Sequence, residues 1–156
     1  TKRPAGQLLV LEPTALAQLD NERVVVRRTD AGEAPALPGA QWPDMLPKVV
    51  QTRIVQSFEN AQYMGALGKA PEGTRSDHQL MLDIRTFQVS VGASASVAEV
   101  ELVGKIMSPE GRIVDARTFR AAAPVSTLDV DASTAAFGEA FGKVATQIVL
   151  WACAAI

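Results

Sequence analysis

The sequence predicts an α+β fold: an antiparallel sheet of about five strands with two amphipathic helices packed on one face, in the order ββ-α-βββ-α. Three observations lead there. Trp42, Leu46, Val49, Val50 and Phe58, with Met45, Ile54 and Val55 beside them, recur at three- and four-residue steps, the spacing of one helical stripe. Phe137, Phe141, Val144, Ile148, Trp151 and Ala155 form a second such stripe near the end of the chain. Between the two lie three runs with period-two alternation, the mark of strands.

The elements follow in order. Residues 7–12, QLLVLE, are an apolar run stopped by Pro13 and read as a first strand. A turn at Asp20-Asn21-Glu22 precedes residues 23–28, RVVVRR, a β-branched second strand with arginines snorkelling at its ends. Residues 29–39 hold two prolines and two glycines and predict a surface loop, with a short extended piece near Ala36-Leu37. Pro47 disfavours helical geometry at Leu46, so a turn over 42–46 is expected to lead into a helix from Pro47 to about Asn60. Lys48, Gln51, Thr52, Gln56 and Glu59 form its solvent stripe. Trp42 is expected to fix the start of that helix against the sheet or the second helix.

Gly65 to Gly68 leads into a loop over 69–76. In the strand predicted over 77–91, Leu80, Leu82 and Ile84 share one parity while Phe87, Val89 and Val91 share the other. Both sets reach one core only if the register shifts, so a β-bulge is predicted near Arg85-Thr86. The strand over 97–107 turns Ala98, Val100, Leu102 and Ile106 inward and Glu99, Glu101 and Lys105 outward, which marks a sheet wet on one face, hence antiparallel. Ser108-Pro109-Glu110-Gly111 is a hairpin turn into a strand over 112–122. Asp129, Asp131 and Ser133 are candidate caps for the second helix.

The 156 residues are enough for one domain with a real core, read as 1–156 with the core over about 8–151. Hydrophobic residues make up 47% and net charge is −2, so nothing steers the chain toward nucleic acid. Aromatics at 5% speak against a base-stacking surface. Apolar runs fall far short of the roughly 20 residues a membrane span needs. The sequence opens on Thr1-Lys2-Arg3-Pro4 without an initiator methionine, which reads as a mature or trimmed chain. A single cysteine, Cys153, rules out an intrachain disulfide and a multi-cysteine metal site.

No catalytic constellation stands out. His78, the lone histidine, sits at a loop-to-strand junction beside Ser76 and Asp77, where a structural or solvated histidine is the ordinary reading. Cys153 has no basic neighbour in sequence and reads as an inert buried thiol. Residues 68–74, GKAPEGT, have the composition of a phosphate loop without its order. Asp129 and Asp131 lack the glycine and closing glutamate of a calcium loop. The expectation is no catalytic residue, no cofactor and no metal. Trp42, Leu46, Phe58, Phe137, Phe141 and Trp151 are candidates for an apolar groove or partner contact, with core packing the competing reading. Gly138 and Gly142 leave room there. Arg23, Arg27 and Arg28 are candidates for a basic rim that meets acidic partner residues or lipid headgroups; a solvated strand end is the alternative.

The order of these segments, LVLEP, LDNERVVVR, QWPDMLPKVVQTRIVQSFEN, SDHQLMLDIRTFQV, AEVELVGKIMSPEGRIVDARTF and a closing IVLW, resembles the ABC-type transport auxiliary lipoprotein family from about Leu8 to Trp151. The resemblance implies a non-enzymatic periplasmic lipoprotein of the Gram-negative envelope, anchored to the outer membrane by an acylated N-terminal cysteine that has no counterpart in this sequence. It implies work beside an ABC transporter and an MCE-type substrate-binding protein in lipid movement, through protein–protein contacts, with no catalytic residues to carry over. The other reading is a periplasmic lipid carrier that holds the acyl chains of phospholipid or another apolar lipid between its two helices.

Overall fold

The computed structural model describes residues 6–28, 40–69, 77–92 and 94–156. The expected proline- and glycine-bearing loop, with its extended piece, and nearly all of the loop expected over 69–76 lie outside the described residues. Seven strands and two helices are seen among those described: β1 (Leu8–Val10), β2 (Thr14–Ala15), β3 (Val25–Arg28), α1 (Leu46–Asn60), β4 (Ala66–Leu67), β5 (His78–Val91), β6 (Ser96–Met107), β7 (Ile113–Val125) and α2 (Val130–Ala155).

The class is α+β as expected, but the sheet is mixed rather than antiparallel and has seven strands rather than about five. The path runs β4-β1-β5-β6-β7, with β2 and β3 also paired to β5. Three short strands walk along one edge of β5, all parallel to it: Leu8 opposite His78, Thr14 opposite Asp83, and Val25 opposite Gln88. β4 adds a fourth parallel pairing, to β1. The alternation that signalled an antiparallel sheet is real, and it belongs to β6, which pairs antiparallel with β5 and β7. Strands of two to four residues carry too few positions to reveal direction, so that reading did not extend to the other edge.

β5 departs from regular register between Ile84 and Thr86, where the parity switch demanded it. Leu80, Leu82 and Ile84 before the shift and Phe87 and Val89 after it are all buried on the core side. At the β6–β7 hairpin the Gly111 N–H donates to the Ser108 carbonyl at 3.0 Å, and Gly111 has φ of +85°. That left-handed position suits glycine, which has no Cβ to clash.

α1 begins at Leu46 rather than Pro47. The Leu46 N–H donates to the Asn21 carbonyl at 3.0 Å, which satisfies a helix-end donor from outside. Pro47 falls in the first turn, where its missing N–H costs nothing. Leu46, Pro47, Val50, Ile54 and Phe58 form the buried stripe. Gln51 departs from the expected solvent stripe: its Nε2 donates to the Val10 carbonyl at 3.0 Å and the Gly68 carbonyl at 2.9 Å, tying α1 to β1 and to the end of β4.

α2 spans 26 residues, a rod of about 39 Å at about 1.5 Å per residue. Asp129 is the cap among the three candidates; its Oδ1 accepts from the Ala132 N–H at 2.8 Å. Phe137, Phe141, Val144, Ile148 and Trp151 are buried, as their stripe required. Trp151 lies on Phe119 of β7 with ring centroids 5.2 Å apart, and its Nε1 donates to Asp115 Oδ2 at 2.8 Å.

Two carboxyls take their acidity from this framework. The Trp151 indole N–H and then the Ala116 N–H hold Asp115 below its ordinary value of 3.8. The Ala132 N–H and then the Thr127 hydroxyl hold Asp129 below the same value. A carboxyl whose folded pKa is depressed stabilises the fold fully above its unfolded pKa and loses that contribution as pH falls through the folded value. Combining Asp115→Asn with Asp129→Asn is therefore expected to flatten the acid limb of stability below about pH 4. Melting temperatures from pH 7 to pH 2 check this; parallel wild-type and variant curves would refute it.

Candidate functional site

A cleft of about 500 Å³ lies between α1 and α2. One wall is the α1 stripe Val49, Arg53, Gln56, Ser57 and Asn60, at three- and four-residue steps, together with Val50. The other is Ser133, Phe137, Phe141 and Ala145 of α2. Trp42, just ahead of α1, closes one end against Phe87 of β5. Its ring meets Phe87 edge-on (centroids 5.3 Å, interplanar 87°) and Phe137 likewise (5.0 Å, 76°). Phe87 stacks on Phe137 at 5.2 Å and 12°. Trp42 thus fixes the start of α1 against both sheet and second helix. Gly138 and Gly142 lie at the mouth, where a Cβ added to either would touch nothing within 4 Å.

The polar inventory of the cleft is uneven. The Ser57 hydroxyl donates to the Arg53 carbonyl at 2.8 Å, and the Thr146 hydroxyl to the Gly142 carbonyl at 2.9 Å. These two are satisfied by their own helices. Trp42 Nε1 and Ser133 Oγ are buried and have no hydrogen-bond partner among the described residues. Arg53 is the only charged side chain among the described lining residues.

The structure brings three of the predicted groove residues, Trp42, Phe137 and Phe141, into this cleft. Leu46 and Phe58 sit in the core beneath α1. Trp151 packs on Phe119 instead. The sequence pattern points to Phe87 only as a strand position and to Ser133 only as a candidate cap, and it does not mark Arg53. Ser133 was legible in principle, four residues before Phe137 on the same inward stripe.

The three arginines do not converge. Arg23 belongs to an isolated bridge with Gln41, and the Arg27 Nη2 donates to Gln18 Oε1 at 2.9 Å. Arg27 and Arg28 are successive in β3 and leave on opposite faces. His78 is half-buried at the start of β5, opposite Leu8. Burial pushes the Cys153 thiol up, away from the thiolate a nucleophile needs. Among the described residues no three His, Cys, Asp or Glu side chains gather as metal ligands, and no helix is long and apolar enough to cross a membrane.

The family model described as the ABC-type transport auxiliary lipoprotein component matches residues 1–149. An uncharacterized protein of Bradyrhizobium diazoefficiens, bll6063, is 30% identical over 99% of this chain; the chain spans 41% of that relative's length. The crystal structure of XCC0632 from Xanthomonas campestris superposes with a TM-score of 0.84 at 32% identity, covering 98% of this chain and 86% of that one. A putative lipoprotein from Caulobacter crescentus shares the fold at a TM-score of 0.50 and 12% identity, over 67% of this chain and 77% of its own. The matched family is one of transport lipoproteins, which implies a periplasmic or envelope location, and it is not a known enzyme family. With nearly the whole sequence matched, this chain belongs to the ABC-type transport auxiliary lipoprotein family.

Proposed function

We propose that this chain is a non-enzymatic auxiliary component of an MCE-type lipid transport system at the outer membrane of the Gram-negative envelope. It acts through contacts with the MCE-type substrate-binding protein and its ABC transporter. Family membership supports the transport role, and one structural observation supports the mode of contact. β7 pairs only with β6 among the described residues, so one edge of a 13-residue strand has no neighbour strand. Residues 113–118 are all exposed, and Ile113 and Val114 are 51% and 46% accessible. An edge whose N–H and C=O groups are not paired by a neighbour strand, beside apolar side chains, accepts an added strand. Exposed Arg23 offers a cation to an acidic partner surface.

The test is capture of the purified MCE-type protein of the same organism by this chain. Binding is expected, and Val114→Pro, which blocks strand addition at the edge, is expected to weaken it at least tenfold. Absence of capture at micromolar concentrations would sink the adaptor reading. A second reading, the carrier of acyl chains between the helices, is favoured by the cleft that Trp42, Phe137 and Phe141 line.

A further inference from the structure

We infer that the cleft between α1 and α2 is a binding site for one acyl chain carrying an anionic, oxygen-bearing head, with Trp42 Nε1 and Ser133 Oγ as its hydrogen-bond donors and Arg53 as its counter-charge. The inference deepens the carrier reading and is independent of the adaptor one. Its first support is the pair of unpartnered polar groups. A buried N–H or O–H without a partner is costly, and native proteins hold few. Here both belong to side chains that line one cleft, and Ser133 is only 2% exposed. An indole N–H can only donate, so whatever completes Trp42 must bring an acceptor oxygen.

The second support is charge. The chain carries 17 acidic residues and a net charge of −2, yet no described residue lining this cleft is acidic. Arg53 alone supplies charge, and it makes no ion pair among those resolved between described residues. Arg53 is exposed, so its guanidinium stands in solvent beside the cleft, where an anionic head can meet it. The third support is shape: about 500 Å³ lies within the usual range of roughly 300–1,000 Å³ for small-molecule sites. Phe137, Phe141, Val49 and Val50 give the apolar contact a chain of methylenes needs.

Tryptophan fluorescence tests this, because Trp42 lines the cleft and Trp151 does not. Dibromostearic acid below its micelle concentration and a bromo-acyl phosphatidylglycerol in vesicles are titrated separately. Quenching is expected to persist in Trp151→Phe and to vanish in Trp42→Phe. Quenching by the free acid alone assigns a fatty acid, and quenching by both extends the site to a phospholipid chain. Gly142→Leu fills open space at the mouth and is expected to abolish quenching while holding or raising the melting temperature, since glycine disfavours a helix interior. Ser133→Ala is expected to weaken binding while leaving the ligand-free protein at least as stable, because the hydroxyl it removes has no partner. Arg53→Gln is expected to weaken the anionic ligand about tenfold and leave a bromo-alcohol of equal length unchanged. No quenching by either ligand, or quenching that survives Gly142→Leu, would overturn the inference, whatever the outcome of MCE capture.

Discussion

Replacing Trp42 by alanine is expected to lower the unfolding free energy by about 3 kcal/mol, at the lower end for aromatic-to-alanine changes because the ring is only half-buried. The ring touches elements that have no covalent reason to stay together. It meets Phe87 on β5 and Phe137 on α2, and Phe87 in turn lies 6.0 Å from Phe141. Edge-to-face pairs of this kind add about 0.5–1.5 kcal/mol beyond area burial. The backbone of this segment is tied separately: the Trp42 N–H donates to the Glu22 carbonyl at 2.7 Å, a bond alanine retains. The loss therefore reports the side chain. Trp42→Phe keeps a ring in the cluster and gives up an indole N–H that has no partner, so it is expected to cost about 1 kcal/mol. Urea denaturation measures both variants. A loss below about 1 kcal/mol for alanine would show that the cluster holds without Trp42.

Legibility from sequence followed the length over which a pattern repeats. β5 was long enough for its parity to switch in plain sight, and the bulge at Arg85 is where the two apolar sets must meet one core. The buried faces of β6 and α2 rested on similarly long repeats. β2 and β4, two residues each, offered no period, and both are held by pairing with distant strands. Strand direction was hidden for the same reason. Gln51 looked like a solvent position because periodicity reports which face a residue takes, not the two carbonyls its amide reaches from the edge of that face. In the cleft, the aromatic stripe made Phe137 and Phe141 legible. Phe87 needed the register shift to be resolved first. Arg53 and Ser133 were ordinary residues by type; Arg53 stands out only by its place beside the cleft, and Ser133 by a buried hydroxyl without a partner.

Gly104 carries the remaining large effect: Gly104→Val is expected to cost about 2–3 kcal/mol, and Gly104→Ala about 1 kcal/mol. In mid-strand β6, opposite Leu82 and Arg117, valine is the better strand former, so propensity alone predicts a gain. Packing decides against it. A Cβ at Gly104 would lie 3.1 Å from Trp151 Cζ3 and 3.2 Å from Phe119 Cε2. Neither ring can simply swing aside. Trp151 is 5% exposed, packs on Phe119 and is held at its far edge by the 2.8 Å bond to Asp115. Glycine here lets α2 press its indole onto the sheet, and that contact places the Nε1 proton on the Asp115 carboxylate. Displacing the ring breaks that bond, so the valine variant is expected to show a second signature beyond lost stability. The Asp115 carboxyl, followed by NMR through an acid titration, should move up toward its ordinary value of 3.8. A stable valine variant with an unmoved Asp115 would mean that α2 shifts as a body to admit the methyls, and the packing of Trp151 against β6 would then not fix the helix on the sheet.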